Sequence, residues 1–130
     1  MITRTAAADM TERRTMKIAV SSCGDTLQAQ THALFGRCDY FVIVDAESGI
    51  WKAVKNSSAE NPSGAGTACA QFMFDEGVNV VISGQVGPNA FEVLTKGGIS
   101  MFVAPPGLTV SQTVEQFKTG VLKRIELKIF

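Results

Sequence analysis

Histidine occurs once in this 130-residue chain, at His32, and tryptophan and tyrosine once each. A structural zinc site takes four His or Cys ligands at paired spacing, so a lone histidine without Cys-x-x-Cys argues against one. Cysteine is scarce too. Cys23, Cys38 and Cys69 are odd in number and far apart, which argues against a disulfide framework and for a reducing cytoplasm. Excess charge is missing: 12 basic residues balance 12 acidic ones, whereas general nucleic-acid binding relies on surplus Lys and Arg. No apolar run approaches the ~20 residues of a membrane-spanning helix. The first fifteen residues are polar and carry Arg, without the apolar stretch of a secretion signal. What remains is 45% hydrophobic and 18% charged, the composition of a globular chain with a core.

The rest is organised around residues 78–92. Val78, Val80, Val81 and Ile82 read as a strand buried on both faces, as in a parallel sheet. Ser83-Gly84 ends it. Gly84 and Gly87 let the chain turn where a side chain would clash. Pro88, with φ pre-set and no N–H to lose, suits a first helical turn. Strand, glycine turn and helix in that order put a helix N-terminus at the carboxyl rim of a sheet, where open α/β sheets bind ligands and where anions are favoured. A turn that merely connects two elements is an equally weighted reading.

Taken in order, residues 1–15 read as a disordered or cloning-derived extension, with the fold starting at Met16. A buried strand spans 16–20, ending in a small polar loop, 21–25. Residues 25–38 have no clean period. Strands at 40–44 and 50–54, joined through a Gly49 turn, read as a hairpin. A polar stretch, 55–63, breaks at Asn61-Pro62. Gly64 to Thr67 open a helix to about Glu76, with Ala68, Phe72 and Met73 on its inner face and Gly77 as its C′ residue. A helix at 88–96 and a strand at 99–103 follow. Thr109 or Ser111 caps a last helix ending near Thr119. Residues 16–120 form one domain, and the tail 121–130 packs as a short strand or stays loose. The order is β, β, β, α, β, α, β, α, an α/β fold. Its mixed five-stranded sheet is antiparallel first and parallel later, with helices on both faces. The loops at 21–25, 64–67 and 84–89 should gather at one rim.

Met-Lys-Ile-Ala-Val at 16–20, Phe35-Gly36-Arg37 before Tyr40, Gly64-Ala65-Gly66 at a helix start, and Gly84-Gln85-Val86-Gly87-Pro88-Asn89-Ala90 together resemble the dinitrogenase iron–molybdenum cofactor biosynthesis family. The resemblance runs from about 16 to 120 and implies a ribonuclease H-like three-layer fold. It also implies a role in binding or carrying metal–sulfur clusters. The Ser-Ser loop and Phe-Gly-Arg-Cys are most similar to the orange-protein branch, which implies a molybdenum–copper sulfide cluster held without covalent ligands. Many relatives carry a histidine before Phe-Gly-Arg, a suspected cluster ligand. Here that position is Leu34.

An anionic sulfide cluster can be held by backbone N–H groups, helix dipoles and a cation. The candidate contacts are Ser22, Cys23 and Gly24, then Gly64, Ala65, Gly66 and Thr67, and Gly87, Pro88, Asn89 and Ala90, with Arg37 as the cation. Arg37 capping a turn, or pairing with Asp39 or Asp25, carries equal weight. Phe35, Phe91 and Met101 could wall the site, although core packing is the better account of each. Cys23 and His32 are the candidate metal ligands. A small buried hydrophobe is the ordinary role of Cys38 and Cys69. The expected function is non-enzymatic: a cluster carrier, with a protein receiver, no nucleic acid and no membrane. The alternatives are a carrier of an iron–molybdenum cofactor precursor or a protein-interaction domain without a cluster. A nuclease on the same fold ranks lower, because Asp45, Asp75 and Glu92 show no convergence for two-metal hydrolysis. Oligomeric state is open.

Overall fold

The computed structural model describes residues 16–126. The extension expected at 1–15 and the last four residues of the tail lie outside these. Eight elements follow in order: β1 (Lys17–Ser22), β2 (Tyr40–Asp45), β3 (Trp51–Lys55), α1 (Ala65–Asp75), β4 (Val80–Ser83), α2 (Pro88–Lys96), β5 (Ser100–Val103) and α3 (Val110–Lys118). The sheet order is β3-β2-β1-β4-β5. β1–β2 and β2–β3 are antiparallel, while β1–β4 and β4–β5 are parallel. This is the expected ribonuclease H-like mixed sheet.

Strand alternation builds two cores. Ile18, Val20, Val42, Val44, Val80 and Ile82 face one side and meet Val110 and Val114 of α3. Ala19, Phe41, Ile43 and Val81 face the other and meet Ala70 and Met73 of α1 and Leu94 of α2. Both faces of the three central strands are therefore covered, which explains their unbroken apolar runs.

Several boundaries move. β1 runs two residues past Val20, because Ser21 and Ser22 pair opposite Phe41 and Tyr40. In α1 the buried positions are Ala65, Cys69, Ala70 and Met73, with Ala68 exposed and Phe72 half-buried, so the inner face is turned from the one expected. The small Ala65, Cys69 and Ala70 let the helix lie close to the sheet and to α2. α1 ends as predicted at Gly77 (φ +74). Gly77 N donates to Phe74 O and Val78 N to Met73 O, the paired bonds of a Schellman motif. Thr109, not Ser111, caps α3. The tail packs on the β5 edge: Val103 N donates to Lys123 O at 2.7 Å and Ile125 N to Met101 O at 2.9 Å. The Arg124 guanidinium lies 5.3 Å from the Phe102 ring centroid. Among the described residues no helix is long and apolar enough to cross a membrane.

Because β1 and β4 are parallel and β2 runs against them, one rim of the sheet collects the loops after β1, β4 and β3 and the loop before β2. α1 and α2 both start at that rim.

Candidate functional site

α1 and α2 begin in contact. A Cβ added to Gly66 would lie 3.3 Å from the Ala90 Cβ, so the first turns of the two helices touch. Gly36 lies across α1 at the same place, where an added Cβ would be 2.9 Å from Gly66 N. Any side chain at Gly36 would therefore push the loop off the helix start. Gly64 caps α1 in the left-handed region (φ 77) and Gly87 caps α2 in extended backbone (φ −68). Neither helix has a side-chain cap among the described residues, and neither has an acidic residue in its first turn. α3 is built differently: Thr109 Oγ1 accepts from Gln112 N at 3.1 Å and Thr109 N donates to Gln112 Oε1 at 2.9 Å. Each uncapped start carries a partial positive charge. Bringing two of them together adds their fields at one spot, which suits an anion.

The glycine turn before α2 differs from the expectation in one respect. Gly84 is needed for space, since a Cβ there would sit 2.6 Å from Ala33 O. Gly87 is not: a Cβ there meets nothing within 4 Å among the described residues. Its missing side chain leaves open room at the α2 start instead of relieving a clash.

The other predicted contacts fall elsewhere. Two of the three N–H groups assigned to the Ser22–Gly24 turn are already used within the fold. Cys23 N donates to Gln30 O at 2.9 Å, and Gly24 N to Ser22 Oγ at 3.2 Å. That turn therefore presents the exposed Cys23 thiol, not an array of free donors. Phe35 is 2% exposed and packs on Phe41 with ring centroids 5.3 Å apart, so it is core beneath the rim and not a wall. Met101 is buried core as well. Arg37 does cap a turn: its Nη1 donates to Ala59 O at 2.8 Å and Asn61 O at 2.6 Å, pinning the loop after β3.

His32 is half-buried, and its Nδ1 accepts from Leu34 N at 3.0 Å. In the neutral ring this leaves the proton on Nε2, so that edge is a donor and not a free ligand lone pair. Leu34 stands beside Gln85 at the rim, 41% exposed. Among the described residues no three His, Cys, Asp or Glu side chains gather where they could hold a metal ion. A cleft of about 540 Å³ between the β1 and β3 loops is lined by Cys23, Asp39, Tyr40, Lys55, Asn56 and Glu60 among others, and by no residue of either helix start. Its mixed charges give it no preference for an anion.

Asn56, at 7% exposed, was hidden in a polar stretch without a pattern, and no local signal distinguishes it. Its Nδ2 donates to Gly36 O at 3.1 Å and Cys38 O at 2.9 Å, and lies 3.9 Å from Cys38 Sγ. Its Oδ1 accepts from Ser58 N at 3.0 Å and from Cys69 Sγ at 3.2 Å. One amide thus ties three segments together and touches two thiols. Burial pushes the Cys38 thiol up to about 12, against the opposing pull of Ser21. Burial likewise raises Cys69 to about 11, with Asn56 and the Arg37 charge pulling the other way. Both are neutral thiols at ordinary pH.

Comparison with known proteins agrees with these features. The model of the dinitrogenase iron–molybdenum cofactor family matches residues 16–120. An uncharacterized protein of Methanocaldococcus jannaschii is 31% identical over 114 residues, 85% of this chain and 92% of the relative. The apo form of the orange protein from Desulfovibrio gigas superposes with a TM-score of 0.82 at 35% identity, over 86% of this chain and 94% of that one. A NifB-like protein of the DUF35 family from Thermotoga gives a TM-score of 0.78 at 30% identity, covering 88% and 97% of the two chains. The chain belongs to the dinitrogenase iron–molybdenum cofactor family.

Proposed function

From that membership, we propose that this chain binds and carries an anionic metal–sulfur cluster as cargo. Its finer identity, on this reading, is a molybdenum–copper sulfide held without side-chain ligands at the joined starts of α1 and α2. The observation that carries the reading is the pair of uncapped, acid-free helix N-termini in contact at Gly66 and Ala90, in contrast to α3 on the opposite face of the sheet, which is fully capped. The donors would be backbone N–H groups of Ala65, Gly66 and Thr67 and of Asn89 and Ala90. Pro88 contributes none.

Sulfide is a large, weakly hydrated acceptor, and backbone donors fixed by two helices need no rearrangement to meet it. Gly87 leaves the approach open. Leu34, exposed at the rim, offers apolar cover and no ligand, which supports holding by charge and shape. The Ser-Ser loop and Phe-Gly-Arg-Cys, which resemble the orange-protein branch, support the molybdenum–copper form, and the likeness to the apo orange protein supports a cluster carrier on a shared fold. Carriage breaks and makes no bond in the cargo, so no catalytic residue is required. A protein receiver would take the cluster, and the free thiols support a reducing cytoplasm as the compartment.

The test is an optical titration of the apo-protein with tetrathiomolybdate, with and without copper, then desalting and metal analysis. Molybdenum and copper retained in fixed ratio, with new visible charge-transfer bands, is the expected result. If all metal washes off a folded protein, the molybdenum–copper assignment fails, and an iron–molybdenum precursor or a protein-docking role takes its place.

A further inference from the structure

The two edges of the sheet differ. The β5 edge is taken by the tail, through Val103 N to Lys123 O and Ile125 N to Met101 O. The β3 edge is open. Asp45 N donates to Ile50 O at 2.8 Å and Asn56 N to Asp39 O at 2.9 Å, so Ile50, Lys52, Val54 and Asn56 turn their backbone groups toward β2. Alternation then points the N–H and C=O of Trp51, Ala53 and Lys55 outward. None of these groups has a hydrogen-bond partner among the described residues. We propose that this edge pairs antiparallel with the same edge of a second copy of the chain, about a two-fold axis at Ala53.

In that register the strand complements itself. Trp51 falls opposite Lys55 of the second copy and Ala53 opposite Ala53, and each pair exchanges both of its outward hydrogen bonds. Trp51, Ala53 and Lys55 lie on the α3 side of the sheet, with Lys52 and Val54 on the α1 side. Lys55 is exposed and has no ion-pair partner among the described residues. Across the axis its ammonium meets the face of the Trp51 indole, the ring that attracts a cation best. Edge lysines ordinarily deter pairing, but here charge is matched and no Lys faces a Lys. Lys52 falls opposite Val54 and is already bound to Glu76 at 2.8 Å. Ala53 at the axis adds no bulk, and Trp51, 39% exposed in the single chain, gains cover. The contact is isologous, as a two-fold requires. It is one short strand a side against the about 20–30 residues of a standard interface, so the dimer is reversible. Because the paired strands run in opposite directions, the two rims that bear the helix starts lie at opposite ends of the joined sheet. Neither is covered, and the dimer forms without cargo.

The experiment runs the full-length apo-protein in sedimentation velocity from micromolar to millimolar concentration, with reductant present so that Cys23 cannot cross-link. Emission from Trp51, the chain's one tryptophan, is read on the same dilutions. The expected result is a monomer–dimer equilibrium in which Trp51 emission moves to shorter wavelength as dimer forms. Ala53→Pro removes an N–H that β2 does not use, at an edge position where proline is tolerated. It should weaken the dimer about tenfold or more. Trp51→Lys sets Lys against Lys and should dissociate the dimer, and adding Lys55→Glu to the same chain should restore it. Within one chain Trp51 and Lys55 are about 13 Å apart along the extended strand, so they meet only across the axis. Recovery in the double variant therefore fixes the register even where Ala53→Pro fails to fold. A chain that stays monomeric at every concentration overturns the proposal and leaves the edge to a strand of another protein. A dimer that survives Trp51→Lys, or that the double variant does not recover, overturns it too. No thiomolybdate is used, so the outcome is independent of the cluster titration.

Discussion

Gly84 and Gly87 lie three residues apart in one motif, and the fold makes opposite demands on them. An alanine at Gly84 would put its Cβ 2.6 Å from Ala33 O and 2.8 Å from Ala33 Cα. Ala33 cannot yield easily. On one side His32 N donates to Ser21 O, and on the other Phe35 N donates to Gln85 O. The clash is thus with pinned backbone, and overpacking of that kind costs about 1–3 kcal/mol. For a domain of this size that is a fall in melting temperature of about 4–12 °C. At Gly87 the backbone is extended and the added Cβ meets nothing among the described residues. Loss of unfolded-chain freedom stabilises by about 0.4–1 kcal/mol. Alanine is a poorer helix cap than glycine by a similar amount, so the net is within about 1 kcal/mol of zero. The proposed cluster site responds the other way round, because the Gly87→Ala methyl occupies its approach. Thermal unfolding followed by circular dichroism, with thiomolybdate retention on the same samples, checks both. A Gly84→Ala protein that melts with the wild type, or a Gly87→Ala protein that loses several degrees, refutes the reasoning.

Asn89→Asp places a carboxylate in the first turn of α2, where it should stabilise the helix by about 0.3–1 kcal/mol. It should also weaken retention of an anionic cluster, and unchanged retention in a more stable protein would remove the α2 start from the site. In the native apo-protein at neutral pH, a thiol reagent should modify Cys23 alone, since burial raises Cys38 to about 12 and Cys69 to about 11. Rapid modification of more than one thiol, read by mass spectrometry, would contradict that burial. The Lys52 ammonium, 2.8 Å from Glu76, holds that carboxyl below its usual range. Stability from this pair is present above the unfolded pKa and lost as pH falls through the lower folded value. Lys52→Met should flatten that acid limb by less than about 1 kcal/mol in urea titrations.

Local signals carried most of the fold. The alternating and β-branched runs of β1, β2 and β4, Pro88 in the first turn of α2, Gly77 closing α1 and Thr109 opening α3 act within a few residues of chain. Each can be read where it stands. Of the inner face expected for α1, Met73 and Phe72 do pack on the core but Ala68 does not, because its place is taken by Ala65, Cys69 and Ala70, and which side of a weakly amphipathic helix is covered depends on how it seats against the sheet and α2. Similarly, the Cys23 and Gly24 N–H groups looked free, because their partners depend on how Gln30 and Ser22 Oγ fold back on the turn. Arg37 could have served an anion or a turn, and the carbonyls of Ala59 and Asn61, 22 and 24 residues away, took it.

By itself, then, the sequence determined the element order, the mixed sheet and the family, since periodicity, turn chemistry and motif spacing are properties of the chain read locally. Tertiary structure alone decided which helix starts meet, which N–H groups remain available, and that Asn56 joins Cys38 to Cys69. Those are contacts between segments far apart in the chain, made by side chains and backbone groups with no repeating pattern. Their geometry exists only once the sheet has closed and both helices have packed against it.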